Sequence, residues 1–136
     1  PQWVEYHGKY YDFDRLMISP APDRPVPIYV GGHSEAGLRR AARLADGWIS
    51  VNADVENLRA AIGRLAELRA EYGRAGEPFE IDASPTDVDT IDGYRALADI
   101  GVTRCRISPW RLYGADPVDR QGRIDALRRF AEQHIV

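Results

Sequence analysis

Lysine is almost missing from this chain: Lys9 is the only one, and the other basic residues are arginines. The skew is that of a GC-rich coding sequence rather than of an anion-binding surface. It also leaves no Schiff-base lysine on a strand, since Lys9 lies outside them. Cysteine is as scarce. Cys105 stands alone, which excludes an intrachain disulfide and a cysteine-based metal site. The three histidines, His7, His33 and His134, have no metal-ligand spacing. No apolar run approaches the roughly 18 residues of a membrane span, and no signal-peptide pattern opens the chain. A soluble cytoplasmic protein with no membrane partner is expected. A net charge of −3 gives no electrostatic case for nucleic acid. A starting methionine is also absent. Pro1-Gln2-Trp3-Val4-Glu5-Tyr6 reads as the interior of something longer, with an upstream half expected.

What is present is ordinary material for a folded domain: 136 residues, 44% apolar and 10% aromatic. Residues 1–27 read as an extended Tyr/Pro-rich connection. Ser19-Pro20-Ala21-Pro22 and Arg24-Pro25-Val26-Pro27 forbid a helix there, and Tyr6 to Phe13 suits a small hairpin around Gly8. Residues 28–136 repeat a pattern of strand then helix four times. Strands are expected at Ile28–Gly31, Trp48–Val51, Phe79–Ala83 and Arg104–Ser108. Helices are expected from Ser34 or Glu35 to Ala45, from about Val55 to Tyr72, from Thr90 to Ile100, and from near Asp116-Pro117 onward. Asp54 is the expected cap of the second helix, whose stripe is Leu58, Ile62, Leu65 and Leu68. Ile91, Tyr94 and Leu97 belong to the third, which Gly101 ends, and Ile124, Leu127 and Phe130 to the last.

Consecutive βα units imply parallel strands, in either an open doubly wound sheet or a piece of a barrel. Strand parity decides between them. One face is read as apolar: Ile28, Val30, Ile49, Val51, Phe79, Ile81, Cys105 and Ile107. The other is read as Tyr29, Gly31, Trp48, Ser50, Asn52, Glu80, Asp82, Ser84, Arg104, Arg106 and Ser108. A central strand of a doubly wound sheet is apolar on both faces, whereas a barrel interior tolerates polar groups near its working end. The chain therefore reads as an α/β fold, the C-terminal half of a (β/α)8 TIM barrel built of four parallel βα units.

In such a barrel the active site lies at the C-terminal ends of the strands. That selects Gly31-Gly32-His33-Ser34 as the first candidate, a glycine turn between strand and helix where backbone N–H groups and the helix dipole favour an anion. A plain tight turn would use the same glycines. Ser34 suits the helix cap, and His33 a solvated loop position. Glu80 and Asp82 are placed to form ion pairs with Arg104 and Arg106, because buried charges need partners; the alternative is direct contact of Arg106 or Asp82 with a ligand. Trp48 is expected to pack the barrel floor, and Trp110 to wall a pocket at the exit end.

Several of these segments together resemble the bacterial luciferase-like monooxygenase superfamily, including its coenzyme F-420-dependent oxidoreductases. They are Gly8-Lys9-Tyr10-Tyr11-Asp12-Phe13, Pro27-Ile28-Tyr29-Val30-Gly31-Gly32-His33-Ser34 and Arg40-Ala41-Ala42-Arg43-Leu44-Ala45-Asp46-Gly47-Trp48. The resemblance implies reduced FMN or coenzyme F-420 at the C-terminal face of a barrel, with the cofactor phosphate on Gly31, Gly32, His33 and Ser34. It implies a small-molecule substrate, with monooxygenation or hydride transfer as the reaction. It assigns no catalytic residue here, because the family's N-terminal half supplies those. The expected partner is that missing half or another copy of the chain. The alternatives are a non-catalytic half-barrel that binds cofactor or assembles only with a partner chain, and another phosphate-binding barrel enzyme.

Overall fold

A computed structural model of the chain describes residues 2–135; Pro1 and Val136, the outer ends of the two expected segments, lie outside the described residues. The chain opens with the hairpin expected around Gly8. Strand β1 (Val4–His7) pairs antiparallel with β2 (Asp12–Leu16), and the Gly8 amide donates to the Tyr11 carbonyl at 2.9 Å to close the turn. Between Met17 and Ile28 the proline-rich path is irregular and exposed.

Four βα units follow. They run β3 (Tyr29–Gly31), α1 (Glu35–Leu44), β4 (Gly47–Ala53), α2 (Val55–Glu71), β5 (Glu80–Pro85) and α3 (Ile91–Ala96), which continues as a 3-10 turn over Leu97–Ile100. They end with β6 (Arg104–Cys105), α4 (Pro109–Leu112) and α5 (Arg120–His134). The four strands form one parallel sheet in the order β3-β4-β5-β6. Sequential parallel neighbours linked by helices are the architecture of half a (β/α)8 barrel.

The helices cover one face of the sheet. Leu38, Ala41 and Ala42 of α1 and Leu58, Leu65 and Leu68 of α2 close over Trp48, Ile81 and Ala83, with Tyr94 and Leu97 completing the core. The opposite face, the lumen side, is open in this chain and carries Tyr29, Gly31, Ile49, Val51, Glu80, Asp82 and Arg104.

That arrangement corrects the expected parity of β4. Trp48 stands beside Val30 and Ile81, and Ser50 beside Ala83, so both point to the helices; Ile49 and Val51 face the lumen. Trp48 and Ser50 are fully buried, while Val51 is 49% exposed. The reason lies in Gly47. The Tyr29 ring lies so close over it on the lumen side that a Cβ there would collide with the ring, and also with the Glu80 carbonyl at 2.7 Å. With Gly47 pinned under Tyr29, Trp48 must turn to the other side. Trp48 is therefore not barrel-floor packing but the largest fully buried side chain between sheet and helices.

Three smaller expectations also change. The last helix begins at Arg120 rather than near Asp116-Pro117, because Asp119 accepts from the Gln121 and Gly122 amides, whereas Asp116 closes a separate turn on Val118 N. The fourth strand is only Arg104–Cys105, and the chain turns into α4 at Pro109. Leu127 is 48% exposed, so the stripe of α5 is not fully covered in this chain.

Two outcomes follow from this packing. Gly47→Ala should destabilise the fold by about 1–3 kcal/mol, read as a lower urea midpoint, since neither the Tyr29 ring nor the Glu80 backbone can clear the added carbon easily. At the head of α2, Asp54 accepts from the Asn57 amide at 2.7 Å, and that hydrogen bond holds its carboxyl below the usual carboxylate range. A lowered folded-state pKa gives stability that is complete above the unfolded value of about 4 and is lost as pH falls through the folded one. Asp54→Asn keeps a good cap but not the titration, so urea unfolding followed from neutral to acid pH should show a shallower acid loss than in the parent sequence.

Candidate functional site

The four residues selected from the sequence come together in one turn, between the end of β3 and the start of α1, and all four are exposed. Gly32 has φ +116°, a conformation that other residues rarely adopt. A Cβ on Gly32 would stand 3.7 Å from Gly37 Cα, and a Cβ on Gly37 would stand 3.3 Å from the Gly32 carbonyl group. Glycine thus stands at position 32 because of its positive φ and at position 37 because the Gly32 backbone lies close. Gly37 is one residue that the pattern of the turn did not flag. A glycine inside a helical stretch was its available signal.

The turn is held from below. Trp48 Nε1 donates to the Gly32 carbonyl at 2.9 Å, and the His33 ring meets the Trp48 ring edge-on at a centroid distance of 5.3 Å. The indole fixes one peptide of the turn while the helix start fixes the next. Ser34 caps α1 as expected, its Oγ accepting from Gly37 N at 3.2 Å and its carbonyl from Leu38 N at 2.9 Å. Of the amides that a helix start leaves without an internal partner, those of Glu35 and Ala36 remain for an outside acceptor.

Other helix starts differ in charge. At α2, Asp54 and Asp87 both supply carboxylate oxygens to the first amides, Asp87 reaching Val55 N at 3.1 Å; at α5, Asp119 does the same. Only at α1, among the described helices longer than eight residues, is the cap a neutral hydroxyl. Beside it lies a cleft of about 440 Å³ lined by His33 and Leu38, by Asn52 and Ala53 at the end of β4, and by Asn57 and Arg64 of α2. Asn52 has φ +57°, at the point where the β4–β5 register slips. The arrangement suits a phosphate: open amides, no Cβ in the way at Gly32, and a dipole of the right sign.

On the lumen face the two expected ion pairs are formed. Arg104 Nη2 lies 2.7 Å from Glu80 Oε2, and Arg106 Nε 2.9 Å from Asp82 Oδ1; Arg106 Nη2 also donates to the Ser50 carbonyl at 3.0 Å. The Glu80 carboxylate beside Tyr29 raises that phenol's pKa. Trp110 sits on α4, half-buried, with the Arg123 guanidinium 4.8 Å from its ring centroid. Burial pushes the Cys105 thiol up, so it stays protonated and unreactive at neutral pH. Among the described residues no group of His, Cys, Asp and Glu is placed to hold a metal ion, and no helix is long and apolar enough to cross a membrane.

The Trp48 clamp generates a direct outcome. Trp48→Phe keeps an aromatic ring but leaves the Gly32 carbonyl without its donor, and should cost about 1–3 kcal/mol in urea unfolding. Amide hydrogen exchange at Gly31–Ser34 should quicken more than at α2. Equal protection in both proteins would show that the indole does not hold the turn.

Comparison with known proteins matches this frame. The model of the luciferase-like monooxygenase family matches residues 2–86. An uncharacterized protein of Mycobacterium tuberculosis is 42% identical over 136 residues, covering 98% of this chain and 46% of the relative. An F-420-dependent glucose-6-phosphate dehydrogenase of Nakamurella multipartita is 40% identical over 55 residues, 40% of this chain and 16% of that protein. Among solved structures, an F-420-dependent secondary alcohol dehydrogenase in complex with an F-420–acetone adduct superposes with a TM-score of 0.52 at 21% identity, covering 96% of this chain and 47% of the other, a likeness of fold. The chain thus spans about half the length of the mycobacterial relatives it matches. With a family model covering the hairpin, the glycine turn and the first three strands of the parallel sheet, the chain belongs to the luciferase-like monooxygenase family.

Proposed function

We propose that this chain is the C-terminal half of a luciferase-like oxidoreductase that uses reduced FMN or coenzyme F-420, with the cofactor phosphate seated on the Gly31–Ser34 turn. The observation that carries the reading is the Gly32 turn itself, opened by a positive φ, clamped by Trp48 and facing the neutral cap of α1. Family membership supports an oxidoreductase, and the F-420-dependent relatives support a cofactor of the flavin and deazaflavin class. Both cofactors present a phosphate to such a turn, so the seat serves either.

When bound, the reduced cofactor supplies the electrons for monooxygenation or hydride transfer on a small-molecule substrate. The residues of this chain bind and orient. The Gly32, His33 and Ser34 backbone and the first amides of α1 hold the phosphate, and the paired Arg106 and Asp82 keep the lumen wall in one arrangement. The relatives' greater length supports a longer protein, and to its upstream half we assign the cover of the open lumen face and the groups that act on substrate.

Titration of the complete gene product with FMN and with coenzyme F-420, followed by cofactor fluorescence, tests the reading. Saturable binding of at least one is expected, with riboflavin, which lacks the phosphate, bound far more weakly. Gly32→Val should weaken cofactor binding by about tenfold or more through crowding of the phosphate seat, while thermal melting checks that the variant is folded. No binding of either cofactor would overturn the proposal.

A further inference from the structure

The head of α1 carries an anion of its own. Glu35 is the first residue of the helix, directly after the Ser34 cap, where a carboxylate is favoured by the dipole and competes with any other anion for the same amides. In this structure its oxygens are engaged elsewhere. Oε1 is 2.8 Å from both Arg39 Nε and Arg64 Nη2, and Oε2 accepts from Arg64 Nε at 3.2 Å. The contact with Arg64 is a two-pronged guanidinium–carboxylate pair that crosses from α2 to α1, the stronger and better oriented kind.

We propose that Arg64 is a positioning residue for the phosphate seat: by holding Glu35, it keeps the first amides of α1 open to the cofactor phosphate. This rests on the phosphate reading above. Arg64 is suited to the task because it is itself held. Its Nη1 lies 2.6 Å from Glu67 Oε2 and 3.7 Å from Glu71 Oε1, so the guanidinium has one orientation, and its side chain is only 31% exposed. It also lines the same cleft as His33, next to the turn. The pairing keeps the Glu35 carboxyl below its usual pKa range, so Glu35 is fully ionised at neutral pH and its charge must be countered there.

The local balance explains why Arg64 matters more than an ordinary surface pair. Glu35, Glu67 and Glu71 face Arg39 and Arg64 in one network. Without Arg64, Glu67 loses its guanidinium, while Glu35 and Glu71 share Arg39 alone. Glu35 then keeps only the single contact with Arg39 within its own helix, and its less restrained charge opposes an incoming anion.

The test measures dissociation constants of FMN, coenzyme F-420 and riboflavin for the complete gene product and three variants, with thermal melting as a check on folding. Arg64→Gln should weaken binding of the phosphate-bearing cofactor about five- to tenfold and leave riboflavin binding within about twofold. Glu35→Gln should leave phosphate binding equal or tighter. The double variant Glu35→Gln with Arg64→Gln should recover the parent affinity within about twofold, because the carboxylate that Arg64 restrained is gone. An Arg64→Gln variant that binds the phosphate-bearing cofactor as well as the parent, or a double variant as weak as Arg64→Gln alone, would overturn the inference while leaving the seat standing. If the parent protein itself binds riboflavin as tightly as FMN and does not bind F-420, the seat and the inference fall together.

Discussion

The hydrogen bond from the Trp48 indole to the Gly32 carbonyl is the constraint on which the rest of this chain's working end depends. It joins the buried layer to the exposed turn in one step. Trp48 can make it only because it faces the helices, and it faces the helices only because Gly47 is pinned beneath Tyr29 on the lumen side. One glycine without room for a carbon thus sets the orientation of β4, and β4 sets the shape of the turn two strands' width from the ion pairs of β5 and β6. Packing between strands thus helps to fix the turn.

Around that turn, charge is arranged with unusual asymmetry. The starts of α2 and α5 are closed by aspartates, which occupy the amides and oppose other anions. The start of α1 is closed by a hydroxyl, and its own glutamate is held by arginines of two helices. The lumen wall follows the opposite logic, each arginine being matched by one carboxylate of the neighbouring strand. The wall is thus charge-balanced, while the start of α1 alone, among the described helices longer than eight residues, has a neutral cap.

Much of this was legible in the sequence, and the failures have physical causes. Alternation in β3 and β5, the caps at Ser34 and Asp54, and the glycine turn all follow from local chemistry, and each stands where expected. The parity of β4 was not legible, because Trp48 and Ile49 are both apolar and alternation alone cannot say which is buried; only the contact with Tyr29 on the adjacent strand decides. The start of α5 was misplaced because Asp116-Pro117 and Asp119 are both good caps, and the helix uses the one whose carboxylate reaches two amides. The site residues in the turn could be chosen by spacing. Gly37 hinted at its role, but the Glu35–Arg64 pair spans 29 positions and has no local signature.

The outer strands of the sheet have a consequence for handling the protein. Strand β3 covers three residues and β6 two, while the central pair β4 and β5 are longer. A stray chain that docked on either margin would find few free backbone groups to pair with before the chain turns away. Brevity at the margins is a known deterrent to edge-to-edge aggregation, so a sheet whose lumen face lies open still offers little template for growth in the wrong direction.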